Sequence, residues 1–240
     1  EDYKTRINAL YFYGQDKYPE RPEQFAEEVV EDLTGVDVHH TIVISIESVT
    51  EIIDILGGIE IDVEHGFTDT QFPRSDVDVT KIFDPEKLYQ TISFDKGIQK
   101  MDGERVQQFI RSRKSENDEG DDIARSERQQ LVLYSILQTI TNFDLLKNTE
   151  TLAELYKYYN ANFSQQFSVK EGISSIKAIL PVRENLSFIS NSISIYPEDK
   201  FGVITNPPTY KYSGEWVYEI RDRYAFRDEI LEKLNIKDRQ

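Results

Sequence analysis

Residues 109–130, FIRSRKSENDEGDDIARSERQQ, gather cations at two points of a chain that is otherwise strongly acidic. The full chain has 240 residues and a formal net charge of -16. The five cations of this stretch are Arg111, Arg113, Lys114, Arg125 and Arg128. Two interpretations are open: the arginines pair with nearby carboxylates on a solvated surface, or they hold an anion.

The second cation pair lies at the predicted start of a helix that begins at Asp121 or Asp122. Arg125 and Arg128 are three residues apart, so their side chains share one face of that helix. A cation in the first turn opposes the helix dipole, whereas an anion there would be held by free backbone N–H groups and by guanidinium forks. The rival interpretation pairs Asp121 with Arg125 at the surface, which is a common and weak contact.

Apolar spacing and turn residues predict alternating helices and strands around these arginines. Residues 64–98, with their prolines and aspartates, are instead expected to form a long surface excursion with little structure. The predicted helices are at about 25–33, 48–56, from Asp102 onward, from 121 or 122 to about 141, 149–158, 168–179 and 225–235. The predicted strands are 41–46, 59–63 and 186–196. This order favours an α/β layer structure.

The composition narrows the function classes. The acidic balance argues against nucleic-acid binding, which needs a basic face. The chain has no cysteine, so thiol nucleophiles, disulfides and cysteine-ligated metals are excluded. Its apolar runs are all shorter than the roughly 18 residues needed to span a membrane.

Three segments resemble the LytR-CpsA-Psr (LCP) family. Around the arginines, a helix containing Gly-Glu leads to Arg-x-Arg, and Arg-x-x-Arg-Gln then follows a turn containing Gly and Asp. Arg111 and Arg113 match the first pair, and Asp122, Arg125, Arg128 and Gln129 match the second element. Residues 6–14, RINALYFYG, and residues 48–63, SVTEIIDILGGIEIDV, are similar to two further family stretches.

The resemblance implies a fold, an activity and a set of site residues. The implied fold is α/β, with a central mixed sheet flanked by helices in a single domain. The implied enzyme is an extracytoplasmic phosphotransferase that moves a glycopolymer from a polyprenyl-pyrophosphate carrier to a cell-wall acceptor such as peptidoglycan. By this resemblance the catalytic residues are Arg111, Arg113, Asp122, Arg125 and Arg128. The expected substrate-binding residues are Arg6, Asn8, Tyr11 and Gln129.

The family also implies Mg²⁺ beside the pyrophosphate and an apolar pocket for the prenyl chain, with helices 48–56 and 122–141 as candidate walls. The strands that carry the family's metal-binding aspartates normally precede the Arg6 stretch, so we expect the ligands upstream of Glu1. A membrane anchor is expected there too. The whole chain, 1–240, is assigned to one LCP-like domain, with the core motifs in 6–142 and a C-terminal part in 143–240.

Two rival functions stay open at this point. One is a non-catalytic protein of the cell envelope that binds polyprenyl pyrophosphate or carbohydrate on the same fold. The other is a structural interaction protein whose arginines only pair with Asp121, Asp122 and Glu127. A separate expectation concerns Trp216, which has three tyrosines near it in sequence; packing of the last strand is favoured over stacking on a sugar.

Overall fold

In the computed structural model, most of the predicted helices lie close to their predicted positions, whereas the strands differ in part. The structure describes residues 7–77, 84–115, 118–120, 122–142, 145, 147–164, 166, 168–185 and 193–234. The chain divides into two compact units: residues 44–188 form one, and residues 1–43 together with 189–240 form the other. The arginine-rich segment belongs wholly to the first of these.

Two antiparallel two-stranded ladders lie in the unit of residues 44–188. Strand β1 (Ile59–Val63) pairs with β4 (Gly97–Met101), and β2 (Phe67–Pro73) pairs with β3 (Tyr89–Phe94). In β1 the odd residues are buried and the even residues exposed, which is the alternation that the sequence predicts. The short helix α4 (Pro85–Leu88) precedes β3.

Two helices pack tightly against each other beside these ladders. Helix α3 (Ile46–Ile55) is capped by Ser45, and α5 (Gly103–Arg111) is capped by Asp102. A Cβ on Gly103 would lie 2.5 Å from the carbonyl oxygen of Thr50, so the close approach of α5 to α3 requires glycine there. The buried core of the unit draws on both helices and all four strands: Val49, Ile53, Ile59, Ile61, Val63, Phe67, Phe72, Ile92, Phe94, Met101, Val106, Phe109, Ile110 and Val132.

The structure describes three further helices in this unit. Helix α6 (Asp122–Ile140) contacts α5 and β1, and α7 (Thr149–Asn162) contacts α3. Helix α8 (Val169–Ile179) begins at Ser168 and leads into a 3₁₀ turn, Leu180–Asn185. All three lie close to the predicted positions.

The other unit joins the first helices of the chain to its last ones. A 3₁₀ turn (Ile7–Ala9) leads into α1 (Leu10–Lys17), which packs against α2 (Glu23–Thr34). Helix α9 (Arg223–Lys233) contacts α2 through an Arg223–Asp32 ion pair of 2.6 Å. A three-stranded mixed sheet accompanies them: β5 (Ile195–Tyr196), β6 (Ile204–Thr205) and β7 (Glu219–Ile220).

Three expectations need correction. A strand is predicted over 41–46, but the structure assigns none to residues 41–45, and α3 already begins at Ile46. Residues 64–98, predicted as a surface excursion with little structure, contain the whole of β2 and β3. Trp216 is 67% exposed, so it does not pack as expected. Among the described residues, no helix is both long and apolar enough to cross a membrane.

Candidate functional site

The candidate site is the junction where α5 ends and α6 begins. Helix α5 ends at Arg111, Ser112 is fully buried, and a 3₁₀ turn (Asp118–Gly120) precedes the first residue of α6. The two cation pairs of the sequence therefore flank one turn. Two buried polar side chains, Arg128 and Asp69, hold its two sides.

Arg128 fastens the start of α6 to the end of α5. The residue is 4% exposed. Its Nε donates to the carbonyl of Phe109 at 2.9 Å, and its Nη2 donates to the carbonyl of Ser112 at 2.9 Å. Its Nη1 donates to the carbonyl of Glu119 at 2.7 Å and to the Glu119 carboxylate at 2.9 Å. Carbonyls at a helix C-terminus lack intrahelical partners, so this guanidinium acts as a cap for α5.

Aromatic rings enclose the same guanidinium. The Cζ atom of Arg128 lies 4.7 Å from the ring centroid of Phe67 and 5.8 Å from that of Phe109. Such placement over ring faces adds a cation–π attraction to the hydrogen bonds. In this structure Arg128 thus binds protein groups on several sides, and its predicted contact with a substrate phosphate stays a prediction.

Asp69 holds the segment that follows α5. Its Oδ2 accepts hydrogen bonds from the Ser112 hydroxyl at 2.7 Å and from the N–H groups of Arg113 and Lys114 at 3.1 Å each. Its Oδ1 accepts from the N–H of Gln71 at 2.9 Å. The side chain thus ties β2 to the backbone that carries the first arginine pair.

The environment of Asp69 favours its charged form. Burial raises the pKa of this carboxyl, since the residue is 1% exposed. The hydrogen bonds from Ser112, Gln71, Lys114 and Arg113 act in the opposite direction and prevail, so the net pKa is lowered from the ordinary value of 3.8. Asp69 is therefore a buried carboxylate that stays ionised because four donors point at it.

Gly120 allows the turn to close. A Cβ at this position would lie 2.8 Å from the carbonyl oxygen of Ser115 and 3.1 Å from its amide nitrogen. Any larger residue would have to push backbone aside, so the closure of this turn requires glycine.

The remaining predicted site residues of this unit lie around the turn between α5 and α6. The side chain of Arg111 is exposed at the end of α5 and has no hydrogen-bond or ion-pair partner among the described residues. Arg113 and Gln129 are exposed, and Arg125 is half-buried in the first turn of α6. Asp122 begins α6, but its side chain lies outside the described part of the chain. Convergence of the guanidinium groups of Arg111, Arg113 and Arg125 stays a prediction.

The other predicted substrate-binding residues belong to the second unit. Tyr11 is exposed on α1. The backbone of Asn8 lies in the 3₁₀ turn before α1, whereas its side chain and the whole of Arg6 lie outside the described residues. Their part in a site with the arginines stays a prediction.

A groove of about 740 Å³ runs along the later turns of α6, beside strands β1 and β4. Leu56, Leu131 and Tyr134 give it apolar surface, but Glu60 and Asp62 line it as well. Carboxylates that face an alkyl chain would lose hydration without a partner. This mixed polar groove does not suit a prenyl chain, and the apolar pocket with helices 48–56 and 122–141 as walls stays a prediction.

The described residues do not offer a magnesium site. No group of three or more histidine, aspartate or glutamate side chains is placed to hold a metal ion in the part of the chain that the structure describes. Asp69, the buried carboxylate beside the arginines, directs its oxygens at four hydrogen-bond donors, which a cation could not share. The predicted Mg²⁺ stays a prediction, and no chemical step below depends on it.

Sequence reasoning missed Asp69 and Glu119 as organisers of this turn. Phe67 and Asp69 are two residues apart in FTDTQF, so a strand would direct both to one face. An acidic residue in phase with a buried phenylalanine is the signal that could have identified Asp69. For Glu119 no such signal exists, because its partner Arg128 is defined only by the packed structure.

Comparison with known proteins agrees with this architecture. TagV of Bacillus subtilis strain 168, a polyisoprenyl-teichoic acid–peptidoglycan teichoic acid transferase, is 26% identical over 172 residues. That match covers 71% of this chain and 37% of TagV, so the chain spans little more than a third of this curated relative. The crystal structure of TagV is similar, with a TM-score of 0.57 at 19% identity, covering 98% of this chain and 76% of that one.

Two further solved structures show the same fold. A transcriptional regulator from Enterococcus faecalis has a TM-score of 0.64 at 19% identity, covering 98% of this chain and 72% of that one. TagT bound to LIIa-WTA has a TM-score of 0.55 at 16% identity, covering 96% of this chain and 72% of that one. These likenesses confirm the predicted α/β fold. A family model, that of the LytR_cpsA_psr family, matches residues 1–194, and because this is most of the chain, the protein belongs to the LytR_cpsA_psr family.

Proposed function

We propose that this protein transfers a glycopolymer from a polyprenyl-pyrophosphate carrier to a cell-wall acceptor such as peptidoglycan. We propose that this transfer takes place at the extracytoplasmic face of the cell membrane. Family membership supports the proposal, as does the likeness to a teichoic acid transferase. The observation that carries it is the turn between α5 and α6, because Arg128 and Asp69 stabilise this turn while Arg111 and Arg113 are exposed beside it.

The chemistry is displacement at phosphorus. A hydroxyl of the acceptor attacks the phosphorus atom bonded to the glycopolymer, the bond to the bridging oxygen breaks, and prenyl phosphate leaves with the negative charge. This reaction asks the protein mainly for positioning and charge stabilisation. Arginine suits both tasks, since its guanidinium stays charged and meets phosphate oxygens with two parallel hydrogen bonds.

We assign the pyrophosphate to an arginine clamp formed by Arg111, Arg113 and Arg125. The start of α6 is well placed to join it, because its first backbone N–H groups attract anions. Gln129 can donate to a phosphate oxygen or hold an arginine in place. For Asp122 we propose an orienting role toward an arginine first and general-base action second.

The clamp predicts a specific effect of Arg125→Ala. One charge-assisted hydrogen bond contributes about 1.5–3 kcal/mol, so the change should weaken binding of undecaprenyl pyrophosphate roughly ten- to hundredfold. The melting temperature should change little, because this cation opposes the dipole of α6. Binding in detergent micelles and thermal melts of the same samples measure the two quantities.

A matched control is Arg74→Ala, which removes another arginine of the same unit. Arg74 forms an exposed ion pair with Asp76 at 2.7 Å, and such pairs contribute about 1 kcal/mol at most. Carrier binding should be unchanged in this variant. A clear fall in melting temperature of Arg125→Ala, with undiminished carrier binding, would exclude Arg125 from the clamp.

Transfer and binding can be separated in the same experiment. If carrier binding responds to Arg125→Ala but no glycopolymer moves to peptidoglycan fragments, the chain is the non-catalytic carrier-binding protein of the alternative interpretation. Transfer that falls in parallel with binding supports the enzyme.

A further inference from the structure

Helix α8 carries an apolar stripe that is only partly covered, since Val169 and Ile173 are exposed and Ile176 and Leu180 are half-buried. Val169, Ile173, Ile176 and Leu180 recur at helical spacing and lie on one face, with Leu180 just past the helix end. Val169 is 38% exposed and Ile173 is 49% exposed. The structure describes every residue of α8, and none of them is buried. An amphipathic helix normally gains its stability by burying such a stripe.

The helix is nevertheless well specified by its own sequence. Ser168 and Glu171 form a capping box: the Ser168 hydroxyl accepts from the N–H of Glu171 at 3.2 Å, and the Glu171 carboxylate accepts from the N–H of Ser168 at 2.8 Å. Lys177 lies in the last turn, where a cation suits the helix dipole. The partly exposed stripe therefore belongs to a locally stabilised helix.

The charges of α8 differ in sign from those of the whole chain. Lys170 and Lys177 outnumber the single acidic residue, Glu171, so the helix is net positive in a protein of net charge -16. At about 100° per residue, both lysines project about 80–100° from the Val169 direction, along one border of the stripe. Glu171 projects to the opposite side. Lysines at the border of an apolar face can extend their ammonium groups to a polar boundary.

We propose that α8 docks on an anionic lipid bilayer, with its axis in the plane of the membrane surface. The stripe would enter the boundary between headgroups and acyl chains, and the two lysines would contact anionic headgroups. The proposal stands apart from the arginine clamp, because α8 would bind lipid whether or not the clamp binds pyrophosphate. A stripe this short gives weak, reversible attachment.

A second copy of the chain is a poorer occupant of the stripe. The helix has 11 residues, so it is about 16 Å long and roughly 10 Å across. The footprint of roughly 160 Å² is far below the approximately 800 Å² per partner of a stable protein interface. Two copies would also bring the same lysines together. A bilayer needs neither a large footprint nor a complementary shape.

Vesicle sedimentation of the full chain tests the proposal. We expect the protein to pellet with vesicles of equal parts phosphatidylglycerol and phosphatidylcholine, and several-fold less with phosphatidylcholine alone. Raising the salt concentration to about 0.5 M should weaken pelleting, because it screens the lysines. Absence of pelleting with the anionic vesicles at low salt would overturn the proposal.

Two variants that add the same charge to α8 locate the contact. Ile173→Asp places a carboxylate in the stripe and should weaken vesicle binding roughly tenfold or more. Ser175→Asp places one away from the stripe and should bind much as the wild type does. Circular dichroism checks that both keep their helices.

Two outcomes would contradict the assignment to lipid. Equal pelleting of Ile173→Asp and Ser175→Asp would remove the stripe from the contact. Light scattering that shows a dimer of the wild type, dissociated by Ile173→Asp, would assign the stripe to a second copy.

Discussion

Replacing Arg128 with methionine should lower the free energy of unfolding by about 3–5 kcal/mol, the range for breaking a buried ion pair from one side. Methionine keeps much of the apolar contact with Phe67 and Phe109. It leaves the Glu119 carboxylate and three backbone carbonyls without the donor that they share. Urea denaturation at neutral pH measures the difference, and the transition should stay two-state within this unit.

The matched control is Arg111→Met, which makes the same substitution at an exposed site one helix away. This variant should lower the free energy of unfolding by less than about 1 kcal/mol, since it removes only a favourable contact with the helix dipole. Arg128→Lys should recover only part of the loss, because an ammonium group cannot reproduce the planar fork that reaches acceptors on three sides. Undiminished stability of Arg128→Met, together with lost carrier binding, would return Arg128 to the substrate-binding role that the sequence predicted.

Helices were predictable wherever local signals specify them. Helix α5 begins beside Asp102 as predicted. Its side-chain cap and its apolar face at helical spacing both lie within about ten residues of sequence, so local pattern alone indicates the helix. Helix α2 ends at Gly35 for a similar reason: the residue after the helix has φ of 72°, which favours glycine. Such signals do not depend on the rest of the chain.

Strands depend on partners, and this explains the errors. Residues 41–46 are rich in β-branched residues, which favour a strand. This local preference does not decide whether a strand forms, because a strand also needs a neighbour for its backbone groups. Ser45 and Ser48 are both able to cap a helix; Ser45 does so, and its side chain accepts from the N–H of Ser48. In the stretch 64–98, a bulge between Asp69 and Phe72 interrupts the alternation that would have indicated β2.

The site was predictable in its residue types and less so in its roles. The arginine spacing identified the turn between α5 and α6, and it did so before any contact was known. The spacing alone could not distinguish the role of Arg128 from that of Arg125. The acceptors of Arg128 are mainly backbone carbonyls, whose positions cannot be inferred from residue types. Burial distinguishes Arg128, which stabilises the turn, from the more exposed arginines around it.

Asp69→Asn should show how strongly the turn depends on one buried carboxylate. The amide keeps the size of the side chain, but one of its two positions becomes an NH₂ group that faces a donor. Since Oδ2 accepts from three donors and Oδ1 from one, neither orientation satisfies all of them. We expect a loss of about 2–4 kcal/mol of stability at neutral pH, from an unsatisfied buried donor and a lost charge-assisted acceptor.

The same substitution should change the pH dependence of stability. The pKa of Asp69 is lowered in the folded state, so the unfolded chain takes up a proton at this group first as the pH falls. The stabilisation by Asp69 is therefore complete above the unfolded pKa of about 4 and is lost as the pH falls through the lower folded pKa. The stability difference between wild type and Asp69→Asn should be constant from about pH 5 to 7 and shrink below pH 4.

Binding of the carrier should fall with stability in this variant, and that coupling is the informative result. Asp69 holds the N–H groups of Arg113 and Lys114 but lies too deeply buried to meet a substrate itself. Under conditions where Asp69→Asn remains folded, weaker binding of undecaprenyl pyrophosphate would show that the position of residues 112–114 matters to the clamp. Asp62→Asn, which alters an exposed carboxylate of β1, should leave both quantities unchanged. A folded Asp69→Asn with wild-type carrier affinity would show that the clamp does not need this anchor, and Arg113 would then lose its place in the proposal.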